Sequence, residues 1–174
     1  MIELLASEVA AFCQGTLVGG DVKITGTVET DSRLVTPGSL FVCKPGEVTD
    51  GHLFAASAID SGAVALIVER ELAVAVPQVV VKDAVRALGL LAAGVLERVR
   101  QTSDLKVIGI TGSNGKTSTK NMLRAILSEN GNTVAPIESY NNEVGAPISI
   151  LKTDLDTKFL VVEMGAGGVG SIDY

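Results

Sequence analysis

The stretch Val107-Ile108-Gly109-Ile110-Thr111-Gly112-Ser113-Asn114-Gly115-Lys116-Thr117-Ser118-Thr119 decides how the rest of the chain is read. An apolar run passes into a Gly-rich turn, and helical spacing begins at the lysine. Gly112 and Gly115 allow backbone torsions that a side chain would forbid, so successive N–H groups can surround a phosphate at a helix N-terminus. Lys116 supplies a point charge for the terminal phosphates, and the Thr117 hydroxyl suits a Mg2+ that bridges them. Thr111, Gly112, Ser113, Asn114, Gly115, Lys116, Thr117 and Ser118 therefore form a candidate cradle for a nucleoside triphosphate such as ATP. The general P-loop pattern places Gly where this chain has Ile110, with Gly109 and Gly112 on either side. An ordinary Gly-rich strand-to-helix connection is the alternative.

Working outward, the chain has 174 residues, enough to bury roughly 70% of its unfolded surface. Hydrophobic residues make up 47% but aromatics only 3%, so the core must come from Ala, Val, Leu and Ile, as in buried strands covered by helices. This composition predicts an α/β class. The net charge of -6 argues against a nucleic-acid surface, which needs a basic face. It does not oppose nucleotide binding, because Lys116, Lys120 and Arg124 lie on or just after the loop. Cys13 and Cys43 stand alone, with no metal or redox spacing, and read as small apolar residues. Acids near the N-terminus and the lack of a long apolar run predict no membrane insertion and a soluble, cytoplasmic protein.

From the N-terminus, Ser7 is expected to cap a short helix through Cys13. Thr16–Val18 and Val22–Ile24 flank Gly19-Gly20-Asp21, a hairpin signal. Asp31-Ser32-Arg33 reads either as a turn with a local salt link or as a ligand loop beside the strand Ser39–Cys43. Asp50-Gly51-His52 carries the same ambiguity. Leu53–Ser61 should be a helix, Ala63–Val68 and Gln78–Val81 strands, and a long helix capped by Asp83 should bury Ala87, Leu88, Leu91, Ala92, Val95 and Val99. The polar break Gln101–Asp104 sets an expected boundary, giving domains 1–102 and 103–174.

After the loop, a helix over Lys116–Ser128 should present Thr119, Met122, Leu123, Ile126 and Leu127 on one face, followed by a strand over Asn132–Ala135. Lys158–Glu163 is an apolar strand ending in a carboxylate. Ligands gather at the carboxyl ends of parallel strands, so Glu163 is placed on the loop's edge, as a Mg2+ ligand or as a strand-end acid satisfied locally. Asn141 and Asn142 read as a helix cap or as ligand contacts.

Taken together, Thr111–Thr117, Asn141–Pro147 and Val161–Ala166 resemble the ATP-dependent Mur ligases of bacterial cell-wall synthesis. Asp31–Arg33, Pro37–Val42 and Asp50–Ala65 make the chain similar to the members that add D-alanyl-D-alanine to a UDP-N-acetylmuramoyl-tripeptide. The resemblance implies a mixed α/β UDP-substrate domain followed by the start of a parallel-sheet P-loop ATPase domain. It also implies ATP and Mg2+ as cofactors, and a tripeptide carboxylate activated as an acyl phosphate. Lys116 would stabilise the transferring phosphoryl group, Thr117 and Glu163 would hold Mg2+, and Ser32, Arg33, Asn141 and Asn142 would contact substrate. The full-length enzyme is expected to be a monomer. Where many relatives carry an acid, this chain has Ser171, which is given no metal role, and the family's later metal ligands and C-terminal domain have no counterpart. The expectation is an N-terminal part that does not ligate unaided. The alternatives are a sibling ligase adding the third amino acid to the dipeptide, or a nucleotide-dependent binding module.

Overall fold

The computed structural model describes residues 1–46, 49–136 and 142–165. In chain order these form β1 (Leu4–Leu5), α1 (Ala6–Cys13), β2 (Thr16–Val18), β3 (Lys23–Ile24), β4 (Val28–Glu29), β5 (Ser39–Val42), α2 (Ala55–Asp60), β6 (Ala63–Val68), β7 (Gln78–Val80), α3 (Ala84–Thr102), β8 (Lys106–Ile110), α4 (Lys116–Ser128), β9 (Thr133–Val134), α5 (Gly145–Ile150) and β10 (Phe159–Glu163). The backbone falls into two compact units that divide between Leu91 and Ala92, within α3. Thr102, the last residue before the expected boundary, is also the last residue of that helix.

The first unit is mixed α/β. Its five-stranded sheet has the order β2-β7-β6-β5-β4, with β4 to β7 parallel and β2 antiparallel at one edge. The continuous apolar run of β6 follows from its central place, since a parallel strand is covered on both faces. Phe41, Leu66, Val68, Ala55, Ala58 and Cys43 form one buried cluster beneath α2. Along α3, Ala87, Leu88, Leu91, Ala92, Val95 and Val99 are buried, at about 1.5–3 kcal/mol for each fully buried Leu or Val. The Asp83 carboxylate caps this helix, accepting from Val85 N and Arg86 N at 2.9 Å each. Burial raises the thiols of Cys13 and Cys43 to about 12, which leaves both as apolar packing groups at neutral pH.

Three local expectations are corrected. Ser7 does not cap α1 from the N-cap position; it lies inside the first turn, and the Asp21 carboxylate accepts from its N (2.9 Å) and Oγ (2.7 Å). Gly19-Gly20-Asp21 does not join a hairpin. β2 pairs with β7 and β3 pairs with β1, because buried neighbours outcompete a two- or three-residue local pairing. The stretch after Asp50 begins as a 3-10 turn, Gly51–Phe54, before α2.

Among its described residues, the second unit forms a three-stranded parallel sheet of order β8-β10-β9, with α4 and α5 in the connections. All five residues of β10 are buried, as a central strand requires. Its register pairs Glu163 with Ile110, level with the start of the Gly-rich loop. Met122 and Ile126, expected on an apolar face of α4, are 60% and 61% exposed.

Candidate functional site

β8 delivers the chain to the loop at Ile110, which is buried, and α4 takes it away at Lys116. The turn between them needs a left-handed residue at the N-cap of α4. Gly115 supplies it at φ +78, and a Cβ added there would meet nothing within 4 Å, so backbone torsion rather than space selects glycine. The first helical hydrogen bond follows at once, Thr119 N donating to Gly115 O at 2.9 Å. Thr111, Gly112, Ser113, Asn114 and Gly115 are exposed, as is Ser118 on the first turn. The Lys116 ammonium folds back over its own loop and donates to the Gly112 carbonyl at 2.7 Å.

The parallel register of β8 and β10 brings Glu163 to this loop. Its side chain is buried, and Thr117 Oγ1 donates to Glu163 Oε2 at 3.2 Å, with Oε1 at 3.4 Å. Lys120, one turn further along α4 and fully buried, places Nζ 3.5 Å from the same Oε2. Sequence reasoning counted Lys120 only as a nearby cation. Its three-residue spacing from Thr117 already put both on one helix face, but the partner came only with the register of β10.

A hydroxyl and a carboxylate this close are hard oxygen donors of the kind Mg2+ takes. Among the described residues no group of three or more His, Cys, Asp or Glu could hold a metal alone. The pair fits an ion whose remaining positions are filled by phosphate oxygens and water. The exposed loop, its left-handed glycines and a lysine within the loop's reach fit the phosphates.

The other predicted site residues lie elsewhere. Ser32 and Arg33 are in the first unit, in a 3-10 turn after β4, at the carboxyl edge of the parallel strands. Arg33 forms a forked ion pair with Asp31, Nε to Oδ1 at 2.9 Å and Nη2 to Oδ2 at 2.6 Å, so the local salt link of the turn is present. The Arg33 side chain holds the Asp31 carboxyl down to about 2. At the same edge His52 is buried with both ring nitrogens engaged: Nδ1 lies 2.6 Å from Asp50 Oδ1, and Nε2 accepts from Glu69 N at 2.9 Å. Arg70 Nη2 donates to Asp50 Oδ2 at 2.6 Å. The His52 backbone N–H, then Arg70, holds the Asp50 carboxyl well below the usual carboxylate range.

Asn142 precedes α5, and its Oδ1 accepts from Gly145 N at 2.7 Å and Val144 N at 3.2 Å, the cap arrangement. Asn141, Ala166 and Ser171 lie outside the described residues. A depression of about 460 Å³ between Val18–Gly20 and Glu71–Gln78 contains none of the candidate residues. Its amide, Gln78, is committed to the backbone of Leu72.

The Mur ligase family, catalytic domain, matches residues 25–101, and the Mur ligase middle domain matches 110–174. The UDP-N-acetylmuramoyl-tripeptide--D-alanyl-D-alanine ligase of Escherichia coli (strain K12) is 42% identical over 174 residues, 100% of this chain and 37% of that protein. A crystal structure of MurF from Acinetobacter baumannii superposes with a TM-score of 0.88 at 36% identity, covering 100% of this chain and 38% of that one. MurF ligase from Thermotoga maritima, solved in complex with ADP, gives 0.72 at 34% identity, covering 86% and 34%. The chain thus spans well under half the length of these relatives. With two family domains matched in order along the sequence and this similarity running from end to end, the chain belongs to the Mur ligase family and matches its MurF-type members over their N-terminal part.

Proposed function

We propose that this chain is the N-terminal part of an ATP-dependent ligase that adds D-alanyl-D-alanine to UDP-N-acetylmuramoyl-tripeptide. Residues 1–102 are read as the UDP-substrate domain and 103–174 as the beginning of the ATPase domain. The observation that carries the nucleotide half is the Thr117–Glu163 contact beside a Gly-rich loop whose lysine reaches back to Gly112. The relative from Thermotoga maritima, described with ADP, supports the same reading.

In this reading, Thr111–Ser118 cradle the phosphates and Thr117 and Glu163 hold Mg2+. Lys116 exchanges its bond to the Gly112 carbonyl for a charge-assisted bond to the terminal phosphate, which is the stronger of the two. Bound ATP supplies the phosphoryl group that turns the tripeptide carboxylate into an acyl phosphate, ready for attack by the amine of D-alanyl-D-alanine. The chain's residues contribute position and charge, which is most of what phosphoryl transfer asks of a protein. Ser32, Arg33, Asn141 and Asn142 are assigned to the UDP-peptide substrate. For Ser32 and Arg33 the support is their place at the carboxyl edge of a parallel sheet, where ligands of such folds gather. The work is assigned to the cytoplasm, and the full-length enzyme is assigned as a monomer.

The test is ADP release by an enzyme carrying residues 1–174 within the full length of its relatives. Release should require both the tripeptide and D-alanyl-D-alanine and should fall at least about 100-fold in Lys116→Ala. Turnover indifferent to the dipeptide, or unchanged by Lys116→Ala, contradicts the reading.

A further inference from the structure

Behind the loop, two opposite charges have been taken out of water. The Lys120 side chain is 0% exposed and that of Glu163 2%, with Nζ 3.5 Å from Oε2. An ion pair buried in this way is weak evidence of stabilisation, because an apolar pair of similar volume often serves a core as well. Its position points to another role. Thr117 and Lys120 reach the same carboxylate from one face of α4, and Thr117 Oγ1 lies 3.2 Å from the oxygen that Lys120 approaches. Glu163 is therefore gripped by a hydroxyl and an ammonium, both carried by the helix whose N-terminus closes the loop.

The charge count at the loop follows from this grip. Lys116 lies across the loop on the Gly112 carbonyl. Glu163 brings a negative charge to the place where phosphates would enter, and Lys120 cancels it from behind. We infer that Lys120 is a positioning residue: it is an internal counter-ion that helps hold Glu163 against Thr117 and lessens the charge met by an incoming nucleoside diphosphate or triphosphate before a divalent cation is present. This rests on the nucleotide reading of the loop. Lys120 does not touch the nucleotide. It sets the place and the apparent charge of the carboxylate that receives the cation.

The experiment is calorimetric titration of the 174-residue chain with ADP, once in EDTA and once in excess Mg2+, for the wild type, Lys120→Met, Lys120→Arg and the double variant Lys120→Met/Glu163→Gln. Lys120→Met removes this positive charge from beside the Glu163 carboxylate, so ADP affinity in EDTA should drop at least about tenfold, while Mg2+ brings it back to within about threefold of wild type. Lys120→Arg should keep wild-type behaviour. The double variant, with neither charge, should recover affinity in EDTA and lose the response to Mg2+. An equal loss with and without Mg2+, no loss, or a double variant as weak in EDTA as the single one overturns the proposal. Melting temperatures without ligand give a second reading: Lys120→Met should melt lower and the double variant should recover, and a double variant that melts as low as the single one also overturns it. If the wild type binds no ADP in either buffer, the nucleotide reading of the loop fails. The counter-ion role is then decided by the melting comparison alone.

Discussion

At the scale of single residues, charges on both units are held by short, specific bonds. Lys116 makes one bond to a loop carbonyl, and in the proposed site this becomes a charge-assisted bond to phosphate, worth about 1.5–3 kcal/mol. Lys116→Ala should therefore weaken ATP binding by about 10- to 100-fold without lowering the melting temperature appreciably; a stability loss with unchanged affinity contradicts the assignment. In the first unit, Asp50 ties the His52 backbone and ring to Arg70, and its carboxyl is depressed by those donors. A depressed carboxyl contributes stability above its unfolded value, near pH 4, and that contribution is lost as pH falls through the folded value. Asp31, held down to about 2 by Arg33, adds a smaller contribution over the same range. The urea midpoint should accordingly fall below about pH 4 in the wild type. In Asp50→Asn it should be lower at neutral pH and flatter in acid. An unchanged acid slope counts against the Asp50 network.

At the scale of elements, the loop depends on one torsion. Alanine at Gly115 meets no atom within 4 Å but must adopt φ near +78, so Gly115→Ala should cost about 1–2 kcal/mol in denaturant unfolding, and a neutral result contradicts the strained-turn account. On α4, Met122 and Ile126 stand exposed, so Met122→Lys should change stability by less than about 0.5 kcal/mol, whereas a core-sized loss would show that the face is covered. Much of this level was legible in advance. The helix Lys116–Ser128 and the strand Ala63–Val68 have the bounds that periodicity and a continuous apolar run predict, because each signal is local and long. The pairing of β2 and β3 was not legible. A Gly-Gly-Asp turn says only that the chain bends, and the partner of a strand this short is chosen by β7 or β1, far along the chain. The short helix α5 was signalled only by the cap reading of Asn142, because Pro147 and the β-branched isoleucines that follow weaken helical propensity but are tolerated in one or two turns. The loop itself was readable residue by residue, whereas the Lys120–Glu163 pair required the register of β10 on β8, which no local pattern encodes.

At the scale of the whole molecule, a mixed α/β unit precedes a parallel sheet that carries the Gly-rich loop, and the Mur ligase family matches follow the same order. The chain covers 37% of the Escherichia coli relative, so the proposal separates what this part should do from what the longer enzyme should do. Mixed with ATP, Mg2+, UDP-N-acetylmuramoyl-tripeptide and D-alanyl-D-alanine, the 174-residue chain should form no ligated product by mass spectrometry, and detectable product contradicts that division of labour. The central claim is that Thr111–Ser118 and Glu163 form a nucleotide site. It is tested most directly by equilibrium titration of the 174-residue chain with ATP in the presence of Mg2+, alongside Lys116→Ala. The account predicts saturable binding at one site, weakened at least about tenfold by the substitution; absence of binding, or equal affinity in the two proteins, would contradict it.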